Sequence, residues 1–219
     1  MIIAGVDEAG VGCWAGPLVV ASAAFDTDTE LPELIRDSKR LSESQRESVI
    51  DDIYGLAEWV IIKTAPPSYI NSSAGIWDVW TQLVREVLEE NQRRASGRII
   101  VDGERMISSV KGVHYEAKAD DKYREVSAAS IVAKYVQTSA MEDLHDQHPK
   151  FGFTKHHGYG TALHREMLEK HGPTPAHRMS YKPVKAYLAR NPTAAHELRQ
   201  LVMFGGSPTT TIICSVDRR

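Results

Sequence analysis

Two adjacent carboxylates, Asp7 and Glu8, follow a short apolar segment and precede a glycine-rich turn. Their charges repel each other, and burial at the end of a strand adds a desolvation penalty for each. A divalent cation offsets both effects, because hard cations prefer carboxylate oxygens. The glycines of the turn, Gly10 and Gly12, let backbone groups approach a ligand closely. The segment indicates a metal site, although a strand, an acid pair and a glycine turn also occur together in plain loops.

A second acid repeats this arrangement, because the apolar residues 99–101 lead directly into Asp102. If the two strands are parallel neighbours, both acids reach the carboxyl edge of the sheet, where α/β proteins bind ligands. Asp120 precedes a long helical pattern, so helix capping is its commoner role. Asp121 is an equally good cap, which leaves Asp120 available for a metal. Four carboxylates with one or two Mg²⁺ or Mn²⁺ ions are typical of two-metal phosphoryl transfer.

The composition is that of an ordinary globular protein. The 219 residues allow one core plus a small appendage, and 42% are hydrophobic and 25% charged. A net charge of −3 excludes a polycation of the histone type, so local charge must carry any nucleic-acid interaction. Two distant cysteines give no disulfide framework. The longest apolar run, residues 14–25, is too short for a bilayer, and the N-terminus lacks signal-peptide character. We expect a cytoplasmic protein.

Hydrophobic patterning predicts an α/β fold. Strands are predicted at residues 2–6, 18–25, 59–64, 98–101 and 113–116. Helices are predicted at residues 43–54, around Trp77 and Trp80, from Asp120 to about residue 145, and in a broken region spanning 160–190. This order favours a mixed sheet flanked by helices in residues 1–145, followed by a helical substrate-binding region in 146–190. Residues 191–219 show no clear period, as in a flexible tail.

A basic segment spans residues 155–190, with seven Lys/Arg, two Glu and five His. The local excess of five positive charges is typical of a surface that binds a polyanion, although a solvated face is equally compatible. Its histidines can add charge at lower pH. Tyr159, flanked by glycines, is expected on an exposed loop where it could stack on a sugar or base. A zinc site built from His156, His157 and His164 is a minor alternative, because no further ligand has suitable spacing.

Eight short motifs together resemble those of type 2 ribonuclease H, in particular the bacterial ribonuclease HII kind. They occupy residues 7–12, 15–17, 37–42, 101–103, 118–120, 127–134, 157–161 and 177–178. The resemblance covers residues 2 to about 188 in the family's order. It implies an RNase H-like fold and endonucleolytic cleavage of RNA in RNA–DNA hybrids. It also implies cleavage 5′ of ribonucleotides embedded in duplex DNA, leaving 3′-hydroxyl and 5′-phosphate ends.

The resemblance also assigns roles by position. The metal-binding catalytic carboxylates would be Asp7, Glu8, Asp102 and Asp120, with Mg²⁺ or Mn²⁺ as cofactor. The substrate-binding residues would be Gly10, Val11, Gly12, Ser38, Lys39 and Tyr159. Within that set the glycines would present backbone groups to the 2′-hydroxyl, and Tyr159 would pack on the sugar at the junction. Ser38 and Lys39 would hold phosphates. The expected partners are RNA–DNA hybrid and ribonucleotide-containing duplex DNA, with no membrane, and we expect a monomer.

Four positions depart from the family pattern. Val11 replaces the usual arginine, Cys13 a proline, Ala119 a glycine, and Met179 a second basic residue. Loss of the arginine predicts weaker and less salt-sensitive binding. The alternative function is therefore a nucleic-acid binder of this fold whose cleavage is impaired or restricted to longer RNA tracts. A small-molecule phosphohydrolase with the same carboxylates is a third possibility, which the basic segment disfavours.

Overall fold

The computed structural model describes residues 1–35, 43–94, 97–204 and 209–215. In these ranges six strands form one sheet, in the order β5-β4-β1-β2-β3-β6. The strands are β1 (Ile2–Ala9), β2 (Leu18–Asp26), β3 (Trp59–Ala65), β4 (Arg98–Asp102), β5 (Val113–Glu116) and β6 (Thr210–Ser215). The pairs β1–β4 and β4–β5 are parallel and the other pairs are antiparallel. The predicted mixed sheet is thus confirmed.

The helices lie on both faces of this sheet and beyond its end. They are α1 (Glu43–Leu56), α2 (Pro67–Ser72), α3 (Ile76–Arg94), α4 (Arg124–Gln147), α5 (Phe153–His156), α6 (Ala162–His171), α7 (Lys182–Arg190) and α8 (Pro192–Phe204). Two 3₁₀ turns, Ala119–Asp121 and Pro149–Phe151, precede α4 and α5. The long helix predicted from Asp120 therefore begins four residues later, after a separate turn. No helix in the described ranges is long and apolar enough to cross a membrane.

The central strands are buried on both faces, which explains their continuous apolar sequence. Along β2, Leu18 and Val20 pack toward α3, whereas Val19 and Ala21 pack toward α1 and α4. Such alternation follows from the two-residue period of a strand. Because helices cover the faces, the carboxyl ends of β1 and β4 remain as the edge where polar side chains gather.

Helix α4 lies unusually close to β1. A Cβ added to Gly5 would lie 2.1 Å from the backbone carbonyl carbon of Glu125, so only glycine permits this approach. Ala128 and Ala129, both buried, continue the small-residue surface of the helix. The contact brings the start of α4, and the turn before it, to the end of β1 that carries the acid pair.

Two elements lie in the segment 191–219, for which no periodic pattern predicted structure. Helix α8 follows α7 after one residue, and β6 pairs antiparallel with the edge strand β3, with Ile61 opposite Ile213. The β-branched run at residues 209–213 is the local signal for β6. Because the run is short and isolated in sequence, periodicity alone could not distinguish a strand there from a loop.

Candidate active site

Asp7 and Asp102 lie side by side at the carboxyl edge of the sheet. Val6 of β1 pairs with Val101 of β4 in parallel register, and each is followed directly by an acid. The parallel pairing expected from the sequence is therefore present. Because parallel strands end at the same edge, the two carboxylates share one environment.

Asp7 and Glu8 point to opposite faces of β1, because successive side chains in a strand alternate. On the α4 side, hydrogen bonds from the Ser130 hydroxyl and the Glu8 backbone N–H partly stabilise ionised Asp7. On the α3 side, the nearby Trp80 indole opposes part of the rise in the pKa of Glu8. The strand thus places the acid pair across the sheet edge rather than on one face.

Burial and mutual repulsion make these carboxylates harder to ionise. Asp7 is 7% exposed, and burial, followed by the negative charge of Glu8, raises its pKa well above the usual range. Burial likewise raises the pKa of Glu8, and the charge of Asp102 adds to the rise. Raised carboxylate pKa values mean that the site favours a bound positive charge.

A 3₁₀ turn brings the fourth acid to this edge. The backbone N–H of Ala119 donates to Asp102 Oδ1 at 2.7 Å, which fastens the turn Ala119–Asp121 to the end of β4. Asp120 is 7% exposed there. The capping role considered for Asp120 and Asp121 is wrong, because the N-cap of α4 is Tyr123. The turn separates both acids from the helix, and Asp120 directly follows Ala119, whose N–H is bonded to Asp102.

The donor set fits a hard divalent cation by its chemistry, since Asp7, Glu8 and Asp102 supply carboxylates close enough for their charges to raise the pKa values of Asp7 and Glu8. The side chains are not yet arranged as a ligand cage. Across the described ranges, no group of three or more His, Cys, Asp or Glu side chains has a metal-holding arrangement.

The glycine turn and Tyr159 meet beside the acids. Gly10 has a φ of +90°, and a Cβ there would lie 2.7 Å from the Pro17 carbonyl oxygen. A Cβ on Gly12 would lie 3.9 Å from Tyr159 Cε1, so this glycine faces the tyrosine ring. Tyr159 is 41% exposed, as expected, and the charge of Glu8 is near enough to contribute to its raised pKa.

Cys13 and Lys134 are polar neighbours of Tyr159. Burial, followed by the charge of Cys13 and a hydrogen bond to it, raises the pKa of Tyr159 to about 12. Cys13 is itself buried, and its Sγ lies 3.3 Å from the His157 carbonyl oxygen. Lys134 Nζ lies 5.0 Å from the centroid of the Tyr159 ring. The tyrosine is therefore neutral at physiological pH, and both its hydroxyl and its ring have neighbours within the protein.

Arg178 organises the glycine turn from the protein interior. It is 0% exposed, and its guanidinium donates to three backbone carbonyls. The distances are 3.0 Å from Nε to Gly16 O, 3.1 Å from Nη1 to Val11 O, and 2.8 Å from Nη2 to Pro17 O. The Tyr181 hydroxyl also donates to Val11 O. Arg178, counted in the basic segment from sequence, is a structural cation of the turn instead of a surface charge.

The basic surface is accordingly smaller than the sequence suggested. Arg190 Nη2 lies 2.7 Å from Glu169 Oε1, so this charge is paired within the segment. The exposed basic residues of the segment, apart from Arg190, are Lys155, Arg165, Lys170, Lys182 and Lys185. Ser38 and Lys39, the expected phosphate ligands, lie outside the described residues.

Three of the five histidines in this segment are buried and form a network, in which His164 is hydrogen bonded to His177 and stacks on His156. The Thr174 N–H donates to His177 Nδ1 at 3.0 Å, and His177 Nε2 lies 3.2 Å from His164 Nε2. His164 Nδ1 lies 2.9 Å from the Tyr159 carbonyl oxygen. Since a carbonyl only accepts, the pattern places the proton of His164 on Nδ1 and that of His177 on Nε2.

His156 completes the network as a neutral ring. It accepts from the Gly158 N–H at Nδ1, over 3.3 Å, and donates from Nε2 to the Phe151 carbonyl oxygen over 2.9 Å. The expectation that these histidines add surface charge at lower pH is therefore wrong for His156, His164 and His177. Their ring nitrogens are engaged in protein hydrogen bonds, so the zinc alternative is also disfavoured.

We expect the buried histidines to lower folding stability as the pH falls from about 6.5 toward 4, against the opposite effect of the raised carboxyl pKa values of Asp7 and Glu8. Burial lowers the pKa of His164 to about 4 and that of His177 to about 3, with His148 and His156 adding repulsion at His177. These two histidines take up protons near pH 6.5 in the unfolded chain but not in the folded chain, so the stability that they contribute above pH 6.5 is lost below it, by up to about 2.7 kcal/mol per pH unit. Urea unfolding at pH 7.5, 6.0 and 5.0 measures this. In His177→Gln the pH dependence should flatten; an unchanged dependence would rule out this origin.

Comparison with known proteins identifies the family. A family model described as Ribonuclease HII matches residues 4–184. A ribonuclease HII from Thermotoga petrophila is 40% identical over 183 residues, covering 84% of this chain and 74% of that protein. The chain belongs to the ribonuclease HII family. It is therefore a ribonuclease H enzyme, and the resemblance read from the sequence motifs is confirmed.

Solved structures of ribonuclease HII relatives share the fold. Ribonuclease H2 from Pyrococcus horikoshii OT3 has a TM-score of 0.74 at 26% identity, covering 88% of this chain and 100% of that one. Ribonuclease HII from Archaeoglobus fulgidus, in a complex with PCNA, has a TM-score of 0.72 at 29% identity, covering 83% and 96% respectively. The RNase H-like fold expected from the sequence is thus confirmed.

The supporting roles of Ser130, Lys134 and Arg178 were not predicted from the sequence. Ser130 and Lys134 lie in a motif recognised from sequence, but their neighbours Asp7 and Tyr159 are distant along the chain. Arg178 also lies in a recognised motif, and its burial among carbonyls carries no sequence signal. In each case the role depends on a contact across the fold.

Proposed function

We propose that the protein is a metal-dependent endonuclease that cuts the RNA strand of RNA–DNA hybrids. It also cuts duplex DNA on the 5′ side of embedded ribonucleotides, leaving 3′-hydroxyl and 5′-phosphate ends. One observation carries the proposal: the acid pair at the end of β1 leads directly into a glycine turn that faces Tyr159. A metal-binding edge therefore lies beside a surface suited to a ribose.

Asp7, Glu8, Asp102 and Asp120 would hold the ions, either Mg²⁺ or Mn²⁺. Bound divalent ions supply an activated water for in-line attack on the phosphate and stabilise the leaving oxygen. The protein itself contributes positioning. Ser130 orients Asp7, and the Ala119 N–H orients Asp102 through Oδ1. No protein nucleophile is needed for this chemistry.

The glycine turn and Tyr159 would select the ribonucleotide. Backbone groups at Gly10 and Gly12 would meet the 2′-hydroxyl, which distinguishes RNA from DNA. The half-exposed ring of Tyr159 would pack on the sugar at the RNA–DNA junction. Arg178 holds the turn by its carbonyls from the interior side, so the turn is rigid before substrate binds. The exposed lysines and Arg165 would contact phosphates without reading sequence.

The decisive test uses a DNA duplex carrying one ribonucleotide, incubated with Mg²⁺ or Mn²⁺. We expect a single cut 5′ of the ribonucleotide, and end-group analysis should find a 3′-hydroxyl and a 5′-phosphate. An all-DNA duplex is the matched control and should stay intact. A series with one to four ribonucleotides separates the full activity from cleavage of longer RNA tracts only. Binding without any cleavage would instead support an impaired nucleic-acid binder.

Val11→Arg should strengthen duplex binding and steepen its salt dependence by about one unit in log K against log salt, as one new phosphate contact does. Val11 is partly buried against the core on the α3 side, so the family's usual cation is replaced here by an apolar contact. Duplex affinity measured from 50 to 300 mM salt reports the slope. Ser48→Arg, an exposed position on α1, is the control for added charge. Equal slopes in the Val11→Arg and native proteins would contradict this account of position 11.

We also propose that the protein is a monomer and acts in the cytoplasm. The thiols of Cys13 and Cys214 are free, which suits a reducing compartment. Cys214 is exposed on β6, so sedimentation analysis with and without reductant would separate a monomer from a disulfide-linked dimer.

A further inference from the structure

The buried histidine network ends on the backbone that carries Tyr159. His164 Nδ1 lies 2.9 Å from the Tyr159 carbonyl oxygen, and His156 Nδ1 accepts the Gly158 N–H at 3.3 Å. Two consecutive residues before the tyrosine have positive φ, +46° at His157 and +85° at Gly158. A non-glycine residue with positive φ is strained, so the loop needs hydrogen-bond partners to hold this backbone conformation.

The His164 ring is immobilised on every side. It stacks on His156 with a centroid distance of 4.3 Å, and the nearly perpendicular Phe153 ring has its centroid 5.7 Å away. The Trp14 ring is 5.3 Å away at a tilt of 39°. A ring packed in this way cannot rotate without repacking its neighbours. Its Nδ1 proton therefore points at one fixed place, the Tyr159 carbonyl.

We propose that His164 is a positioning residue for Tyr159, acting through its Nδ1–H on the Tyr159 carbonyl. His177 fixes the tautomer of His164, because the His177 Nε2–H donates a hydrogen bond to His164 Nε2. The network thus sets the orientation of the tyrosine ring against the ribose of the substrate. This inference rests on the proposed function of Tyr159.

Two matched substitutions separate positioning from general stability. Asparagine at position 164 places an amide N–H near the former Nδ1 and can still donate to the Tyr159 carbonyl. Glutamine places its amide near the former Nε2, so it can partner His177 but not Tyr159. Both are polar and similar in size. We expect His164→Gln to lower kcat/KM for the single-ribonucleotide duplex about tenfold and His164→Asn less than about threefold.

The kcat/KM values of His164→Asn and His164→Gln are then compared in a Tyr159→Ala background. If His164 acts through the tyrosine, the Asn and Gln variants become equal there, because non-additivity reports direct coupling. A difference that persists unchanged without the ring would overturn the proposal, as would equal activities in the native background. His171→Gln, at an exposed position of the same segment, should leave kcat/KM unchanged.

A second measurement needs no variant. Nitrogen-15 shifts of the native histidines report which ring nitrogen carries the proton. We expect the Nδ1–H form at His164 and the Nε2–H form at His177; an Nε2–H form at His164 overturns the proposal whatever the variants do. If the native protein fails to cut any ribonucleotide-containing duplex, the proposed function fails and the kinetic role of His164 falls with it. If it cuts and the variants do not differ, only this inference fails.

Discussion

Asp7→Asn will lower the rate of ribonucleotide-directed cleavage on the order of a thousandfold or more. Asp7 lies where β1 and β4 end together, with the charges of Glu8 and Asp102 near enough to raise its pKa. Asparagine preserves the shape of the side chain but removes the negative charge that a divalent ion requires. Single-turnover cleavage of a duplex with one ribonucleotide, at saturating Mg²⁺, measures the loss.

The same substitution should stabilise the metal-free protein. The pKa of Asp7 is higher in the folded protein than in the unfolded chain. Ionised Asp7 therefore destabilises the fold at any pH above the pKa of the unfolded chain. Asparagine removes this cost, so thermal unfolding without metal should occur at a higher temperature at pH 7.5. Mg²⁺ should stabilise the native protein and have little effect on the variant.

Asp52→Asn, at an exposed position on α1, is the matched control and should change neither cleavage nor stability. Asp7→Asn that cleaves at the native rate would remove Asp7 from the metal site. A variant that is inactive but also less stable than the native protein would point to a structural role for the carboxylate.

Arg178→Met will destabilise the fold by about 3–5 kcal/mol. The guanidinium is 0% exposed and donates to the carbonyls of Gly16, Val11 and Pro17. Methionine fills part of the volume but leaves these buried acceptors without their donors. In a protein of this size the loss corresponds to a fall of about 10 °C in Tm. Because the glycine turn loses its support, cleavage should fall as well.

Arg178→Lys tests the geometry of this contact. Lysine keeps the charge but cannot reach three carbonyls in the planar fork of a guanidinium, so an intermediate loss of stability is expected. Arg165→Met, at an exposed position on α6, should shift Tm by less than about 2 °C. Native-like stability of Arg178→Met would show that water or neighbouring donors satisfy the turn.

The sequence by itself determined the main layers of the fold and the family, and it placed two acids at the ends of parallel strands. The apolar runs ending at Val6 and Val101 each lead into an acid, and the parallel pairing inferred from that repetition is present. Local periodicity also predicted α3 and most of α4, because an amphipathic stripe records which face is buried. The eight motifs were sufficient to indicate the family.

Only the tertiary structure decided how those positions are used. Arg178 and the three buried histidines looked like surface charge, because composition does not distinguish a buried donor from an exposed one. Asp120 looked like a helix cap, because sequence does not separate a 3₁₀ turn from the helix that follows it. The pairing of strand β6 with β3 and the approach of the Tyr159 ring to Gly12 bring together segments far apart in the chain. Such contacts depend on packing across the fold, which leaves no period in the local sequence.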